Sequence, residues 1–308
     1  MFRRSALGLD IHHDELRAVN LGRVDGKAVP WGVRVVKLDS EIICPSFSDT
    51  NIKQVEPFRA AVKEVLGPIA GKTRRLAVAL PDRAGKVFLL ELEKPIKNRR
   101  EGAELIRWHL REELPKQTTN RVSLDYQVLD VAVSGRTRVL AAVIKETVLT
   151  EYEETIRSAG YDLDLINFHT PALFNCHQIQ ATEDADYILV GLHGHQLGLM
   201  IVVNNSLAFL RSRTVNISPG EAVREISRSL AGYRSDRDFL VQTPVILLLD
   251  WPALPRLGLQ ACIADFFGKE AIVANPVGHI VQNKPAEMNI RSMYPAWGVA
   301  ERLIARNR

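Results

Sequence analysis

Two short histidine-bearing stretches hold the side chains best suited to chemistry: His12-His13-Asp14-Glu15 near the N-terminus and His193-Gly194-His195 far downstream. Neutral imidazole nitrogen and carboxylate oxygen are ordinary donors to a divalent metal, zinc above all. A closed zinc site takes four ligands, and neither stretch carries a third and fourth partner at a recognisable spacing. Both stretches fall at turns between expected strands, where polar residues belong in any case, so the expectation is no metal.

Nucleotide chemistry is suggested by Gly67-Pro68-Ile69-Ala70-Gly71-Lys72-Thr73. A phosphate-binding loop needs four residues between its glycines and a helix after its Lys-Thr, so that backbone N–H groups and the helix N-terminus cradle the anion. Here three residues intervene and the chain runs on into an apolar strand, which makes the segment a helix stop followed by a basic turn. No GxSxG elbow, HExxH helix or paired Cys and His arrangement is present. Cys44, Cys176 and Cys262 are too widely spaced for a CxxC motif. Glu112-Glu113 and Glu153-Glu154 lie on expected amphipathic helices, and the basic clusters at 72–75 and 94–100 lack interleaved aromatics. The first read as solvated faces, and the second do not indicate nucleic acid.

The elements that would position these residues recur in order. Residues 6–11 and 15–21 read as strands, an Asp-Gly turn leads to a third strand over 28–38, and a helix follows. Val55, Phe58, Val62, Val65, Leu66 and Ile69 share one face of that helix, which Asp49, Thr50 or Asn51 could cap. Residues 75–80 give a further strand. The pattern returns at 187–192, 197–203 and 207–213, with an Asn204-Asn205 turn, a helix opening at Ser218-Pro219 and a strand over 245–249. This duplication predicts an α/β fold of two halves around a central cleft, at which the two histidine turns would meet. Expected boundaries are 1–185 for the first half, with a small α+β insertion over about 86–162, 186–293 for the second half, and 294–308 for a C-terminal helix packing back on the first. Between the halves, 163–168 reads as a strand and 171–180 as a helix.

The composition suits such a fold: 308 residues, 46% hydrophobic and 25% charged, exclude a disordered or fibrous chain and leave room for two cores. A net charge of +4 is mild. The most apolar long segment, 187–210, carries His193, His195, Gln196, Asn204 and Asn205, so no direct membrane insertion is expected. The cysteine usage fits a cytoplasmic setting.

The duplicated architecture resembles the actin and sugar kinase superfamily, a duplicated, ribonuclease H-like fold. More specifically, Leu7-Gly8-Leu9-Asp10-Ile11 with 16–21, the run Glu104-Leu105-Ile106-Arg107-Trp108-His109-Leu110-Arg111-Glu112-Glu113-Leu114-Pro115 with 124–129, and Tyr294-Pro295-Ala296-Trp297-Gly298 resemble the PilM family of type IV pilus assembly. The cytoplasmic domain of the type II secretion GspL proteins is a neighbouring resemblance. What this implies is a cytoplasmic protein recruited to the inner membrane by a PilN-like membrane protein, whose N-terminal segment docks in a groove between the first half and the insertion. Leu105, Trp108 and Leu114 are the partner-binding candidates.

The resemblance weakens where the family binds nucleotide. His12 stands at the close-approach glycine of the first phosphate loop, and Gly191-Leu192-His193 replaces the second Asp-Ile-Gly, with Gly194 one position late. Asp250-Trp251-Pro252 replaces the glycine-rich adenosine turn. Glycine is needed where backbone must approach phosphate, so Asp10, His12, Gly194, Gly220 and Trp251 mark a degenerate nucleotide cleft with ATP and Mg²⁺ disfavoured. The expectation is a scaffold without ATP hydrolysis. The alternatives are an ATPase in which Asp10 holds a cation and Gly194 and Gly220 admit phosphate, and a polymerising shape or division protein.

Overall fold

The computed structural model describes residues 5–24, 27–114, 121–131, 136–178, 186–216, 218–231, 233, 237–250, 253–274 and 293–306. In the first half, β1 (Ser5–Ile11), β2 (Glu15–Val24) and β3 (Lys27–Lys37) form an antiparallel meander. β4 (Arg75–Leu80) and β8 (Asp162–Phe168) then extend the sheet in parallel, giving the order β3-β2-β1-β4-β8. The second half repeats this with β9 (Tyr187–His193), β10 (Gln196–Val203), β11 (Ser206–Thr214), β12 (Val245–Asp250) and β13 (Ala271–Val273), ordered β11-β10-β9-β12-β13. Asn204 and Asn205, at φ 50° and 58°, make the tight β10–β11 turn, a conformation that asparagine tolerates better than most residues.

Successive side chains of β1 enter two different cores, as strand alternation requires. Leu7, Leu9 and Ile11 join Phe58, Val62, Val65 and Leu66 of α1 (Val55–Ala70). On the opposite face, α4 (His169–Gln178) and α8 (Tyr294–Ala305) contribute Leu173, Tyr294 and Trp297 to a core that also contains Leu189, Met200 and Leu248 of the second half. That cluster is therefore shared by the two sheets. α5 (Pro219–Ala231) and α7 (Ala253–Phe267) cover the outer face of the second sheet through Ile226, Leu259 and Ile263. A short α6 (Arg237–Gln242) precedes β12.

The insertion contains β5 (Gly85–Leu92), α2 (Arg99–His109), β6 (Val122–Val131) and β7 (Thr137–Lys145), with strand order β5-β7-β6. Asn98 caps α2 by accepting from the Glu101 N–H at 3.0 Å. α3 (Glu146–Ser158), which the sequence grouped with the insertion, instead lays Val148, Tyr152 and Ile156 into the first half's core beside α1.

Three details depart from the sequence reading. α1 has no side-chain cap; Asn51 instead braces its own loop, donating from Nδ2 to the carbonyls of Ser46 and Asp49 at 2.7 and 2.8 Å. α2 ends at His109, so Glu112 and Glu113, expected on a helix, fall in the turn after it. α4 begins at His169, two residues earlier than expected, which matters for the site. The glycine-rich segment behaves as read: α1 runs to Ala70, Gly71 takes φ 56°, and β4 follows.

Candidate functional site: a buried histidine cluster between the halves

Parallel strands in α/β sheets deliver their functional residues at their carboxyl ends. Asp10 lies at the end of β1, His12 one residue beyond it, His169 directly after β8, and His193 at the end of β9. The facing halves bring all four together. Asp10, His12, His169 and His193 are 0%, 7%, 2% and 1% exposed, so the cluster is sealed from bulk water on nearly every side.

The distances are short. His12 Nε2 lies 2.5 Å from His193 Nε2, and His193 Nε2 lies 2.9 Å from Asp10 Oδ2. His169 Nε2 is 2.7 Å from Asp10 Oδ1, and His12 Nε2 is 3.7 Å from Asp10 Oδ2. The rings of His12 and His169 stack at 4.9 Å between centroids, while His193 stands edge-on to both. All three histidines thus turn Nε2 toward one carboxylate. Burial alone would raise the Asp10 carboxyl, but the surrounding imidazoles of His193, His169 and His12 override it and hold the group well below the usual carboxylate range. Burial, then crowding by His193, pushes His12 well below the ordinary histidine range.

Neighbouring bonds fix the frame. Arg17 donates from Nε to Glu15 Oε1 at 2.5 Å, with Nη1 3.8 Å from Asp10 Oδ2, and Lys37 holds the other Glu15 oxygen. Asp82 accepts from the Thr170 backbone N–H at 3.1 Å, fixing the first turn of α4 and therefore His169. The same Asp82 carboxylate takes hydroxyls from Thr170 and from Ser212 of the second half, both at 2.5 Å.

Of the residues expected in a degenerate nucleotide cleft, Asp10, His12 and Gly194 converge. Gly194 sits at φ 55°, where a Cβ would lie 3.1 Å from His12 Cε1. Gly220, in the first turn of α5, has open space around it and does not line the histidine cleft. Trp251 lies outside the described residues. The cleft above the histidines is about 230 Å³, lined by His12, His169, His193, Arg83 and Gln196 among others. That is smaller than the roughly 300–1,000 Å³ usual for ligand pockets. His13 and His195 are exposed at its rim rather than in the cluster. The sequence reading missed His169; its place at the mouth of a parallel strand was the signal available.

The partner-binding candidates separate. Leu105 and Trp108 line a groove of about 530 Å³ between α2 and the end of β5, and Trp108 is 62% exposed. Leu114 is buried with Ile106 and Val139 in the insertion's core, out of a partner's reach, because the turn after α2 folds it inward. A different, smaller groove separates the insertion from the first half, lined by Asp125 and Ala142 on one side and Leu165 and Ile166 on the other. Leu105 and Trp108 are not in it.

Two sheets of matching order, each flanked by helices and facing each other across a cleft with a third small sheet inserted, define an actin-like fold. Within that class, a chain of a PilM-PilN type IV pilus biogenesis complex superimposes over 98% of this chain and 99% of its own, with a TM-score of 0.75 at 18% identity. A protein of actin-like ATPase fold and unknown function from Bacteroides thetaiotaomicron matches over 96% of each chain at 0.56 and 10% identity. An Aquifex aeolicus member of the Ppx/GppA family matches over 99% of each at 0.51 and 10%. No family model matches the sequence, and no curated protein is detectably similar to it. Among the described residues, no helix is long and apolar enough to cross a membrane.

Proposed function

We propose that this chain is a PilM-like scaffold of a type IV pilus or related secretion platform, working without ATP hydrolysis. It is cytoplasmic and recruited to the inner membrane by the N-terminal segment of a PilN-like membrane protein. The fold shared with a chain of the PilM-PilN complex supports the class of machinery. Against nucleotide, the two loops that would grip phosphate meet through the imidazoles of His12 and His193, 2.5 Å apart, and Asp10 is covered beneath them.

The observation that carries the partner reading is Trp108. A tryptophan left 62% exposed beside Leu105, in a groove rimmed by Glu93, Lys94, Arg111 and Glu112, has the character of an interface anchor: an apolar centre with a charged rim. The partner's segment places an apolar side chain there. Calorimetric titration with the N-terminal peptide of a PilN-like protein tests this. Trp108→Ala should leave the melting temperature unchanged and weaken peptide binding at least about tenfold, within the range of interface hot spots. Loss of binding in Ile166→Arg but not Trp108→Ala would move the site to the groove beside β8 and overturn the assignment of Trp108. No peptide binding at all, or saturable micromolar binding of Mg·ATP, would overturn the scaffold reading itself.

A further inference from the structure

Four buried side chains from four points of the chain aim their donor atoms at one small volume, and each of Asp10, His12, His169 and His193 offers one ligand atom within 4.8 Å of every other. We propose that they form a four-coordinate site for one divalent transition-metal ion, zinc foremost, that clasps the two halves at the base of the cleft. The ligands are Nε2 of the three histidines and a carboxylate oxygen of Asp10.

The donor atoms are close enough together to share one ion. Bonds of about 2.0–2.2 Å to nitrogen and oxygen in a tetrahedron put ligand atoms about 3.3 Å apart. The imidazole nitrogens of His12 and His193 are 2.5 Å apart and lie 3.7 and 2.9 Å from Asp10 Oδ2, while His169 Nε2 is 2.7 Å from Oδ1, so the donors need only spread by a fraction of an ångström to admit the ion. The donor set suits zinc: imidazole and carboxylate, no thiolate, and a closed surround.

Hydrogen bonding alone accounts for the cluster poorly. His12 Nε2 and His193 Nε2 face each other, so only one of the two can carry a proton between them. His193 Nε2 faces Asp10 Oδ2 as well, and one N–H cannot serve both neighbours well. His169 Nε2 and Asp10 Oδ1 approach to 2.7 Å without the alignment of a hydrogen bond. A cation at the centre takes a lone pair from each group and needs no proton among them. The nearest competing charge is the Arg17 guanidinium, 3.8 Å from Asp10 Oδ2, and it is turned to Glu15 at 2.5 Å. The cleft above His12, His169 and His193 gives an ion its way in.

The proposal is independent of the partner reading, since peptide binding can fail with the metal site intact. The test is metal analysis of the full chain by mass spectrometry after growth with zinc, then chelator stripping and titration with Co²⁺. The expected result is one ion per chain, with the intense visible bands of four-coordinate cobalt. Asp10→Asn and His169→Gln should weaken binding at least about tenfold, the scale at which even supporting residues of metal sites act. His13→Gln and His195→Gln should leave it unchanged. Should the cluster variants fail to fold by circular dichroism, X-ray absorption of the zinc-loaded wild type decides, with three imidazoles and one carboxylate expected. Folded wild type that takes up well under half an equivalent would overturn the proposal. So would binding lost in His13→Gln but kept in His169→Gln, which would place the ion at the exposed His12, His13 and Asp14 group.

Discussion

At the scale of single residues, the cluster is assembled by charges buried beside it. The Glu15 side chain is 10% exposed yet receives Arg17 and Lys37, and Arg17 in turn faces Asp10. Burial pushes the Glu15 carboxyl up, but the hydrogen bond from Lys37 and the charge and hydrogen bonds of Arg17 override it, leaving the group below its ordinary range. A carboxyl lowered by folding contributes stability that is complete above its unfolded value of about 4.3 and is lost as pH falls through the folded value. Glu15→Gln should therefore cost about 3 kcal/mol at neutral pH, because Arg17 stays buried without its counter-charge. Urea denaturation at pH 7 and again in acid should show the gap between variant and wild type closing below about pH 4.3. A gap equally wide at both would mean that packing rather than charge sets the cost. The cluster itself was half legible in sequence. His12 and His193 stand in recognisable turns of the repeated hairpins, so their meeting followed from the duplication. His169 stands alone between a strand and a helix, 157 residues from His12, and only the parallel placement of β8 beside β4 brings it in.

At the scale of elements, the periodic signals carried α1 and the strands other than β13, while the boundaries followed local bonds that periodicity does not encode. α4 starts early because Asp82, 88 residues before Thr170, accepts the Thr170 N–H in its first turn. α7 was missed because its apolar residues surround the helix rather than striping one face, so no 3.6-residue pattern marks it. α8 shows the opposite case, a helix whose position depends on two glycines. A Cβ on Gly8 of β1 would fall 1.9 Å from the Ala296 carbonyl oxygen, and one on Gly298 would fall 2.1 Å from the Ala172 carbonyl oxygen. Both obstacles are backbone and cannot rotate away. Gly8→Ala should then lift α8 from the sheet and cost on the order of 3 kcal/mol, at the upper end of overpacking effects. Gly67→Ala, with open space around the added carbon, is the control and should not destabilise. Equal melting temperatures for the two variants would show that α8 does not press on β1 as closely as described.

At the scale of the whole molecule, the question is what holds the halves in register. The shared core beneath α4 and α8 supplies non-directional attraction, which fixes no angle between the sheets. Directional contacts set the angle, and a group of them sits at the cleft. Besides the histidines, the Asp82 carboxylate of the first half accepts the hydroxyls of Thr170 and Ser212, and Ser212 accepts from Gln196 Nε2 at 2.5 Å. This chain of bonds crosses from one half to the other a few residues from His169 and His193. It makes the closure of the cleft and the geometry of the cluster one event. Asp82→Asn and Ser212→Ala should therefore not add: neighbours within one hydrogen-bond network couple by about 0.5–3 kcal/mol, whereas independent sites agree within about 0.5 kcal/mol. The double-mutant cycle, read by urea denaturation, should give a coupling on the order of 1 kcal/mol. Hydrogen exchange should show amides at the ends of β1 and β9 opening together in either variant, since loosening one hairpin releases the imidazole that holds the other. Additive energies with exchange confined to β11 would mean that Ser212 merely decorates its own strand, and that the halves are held by the shared core and the histidine cluster without this bridge.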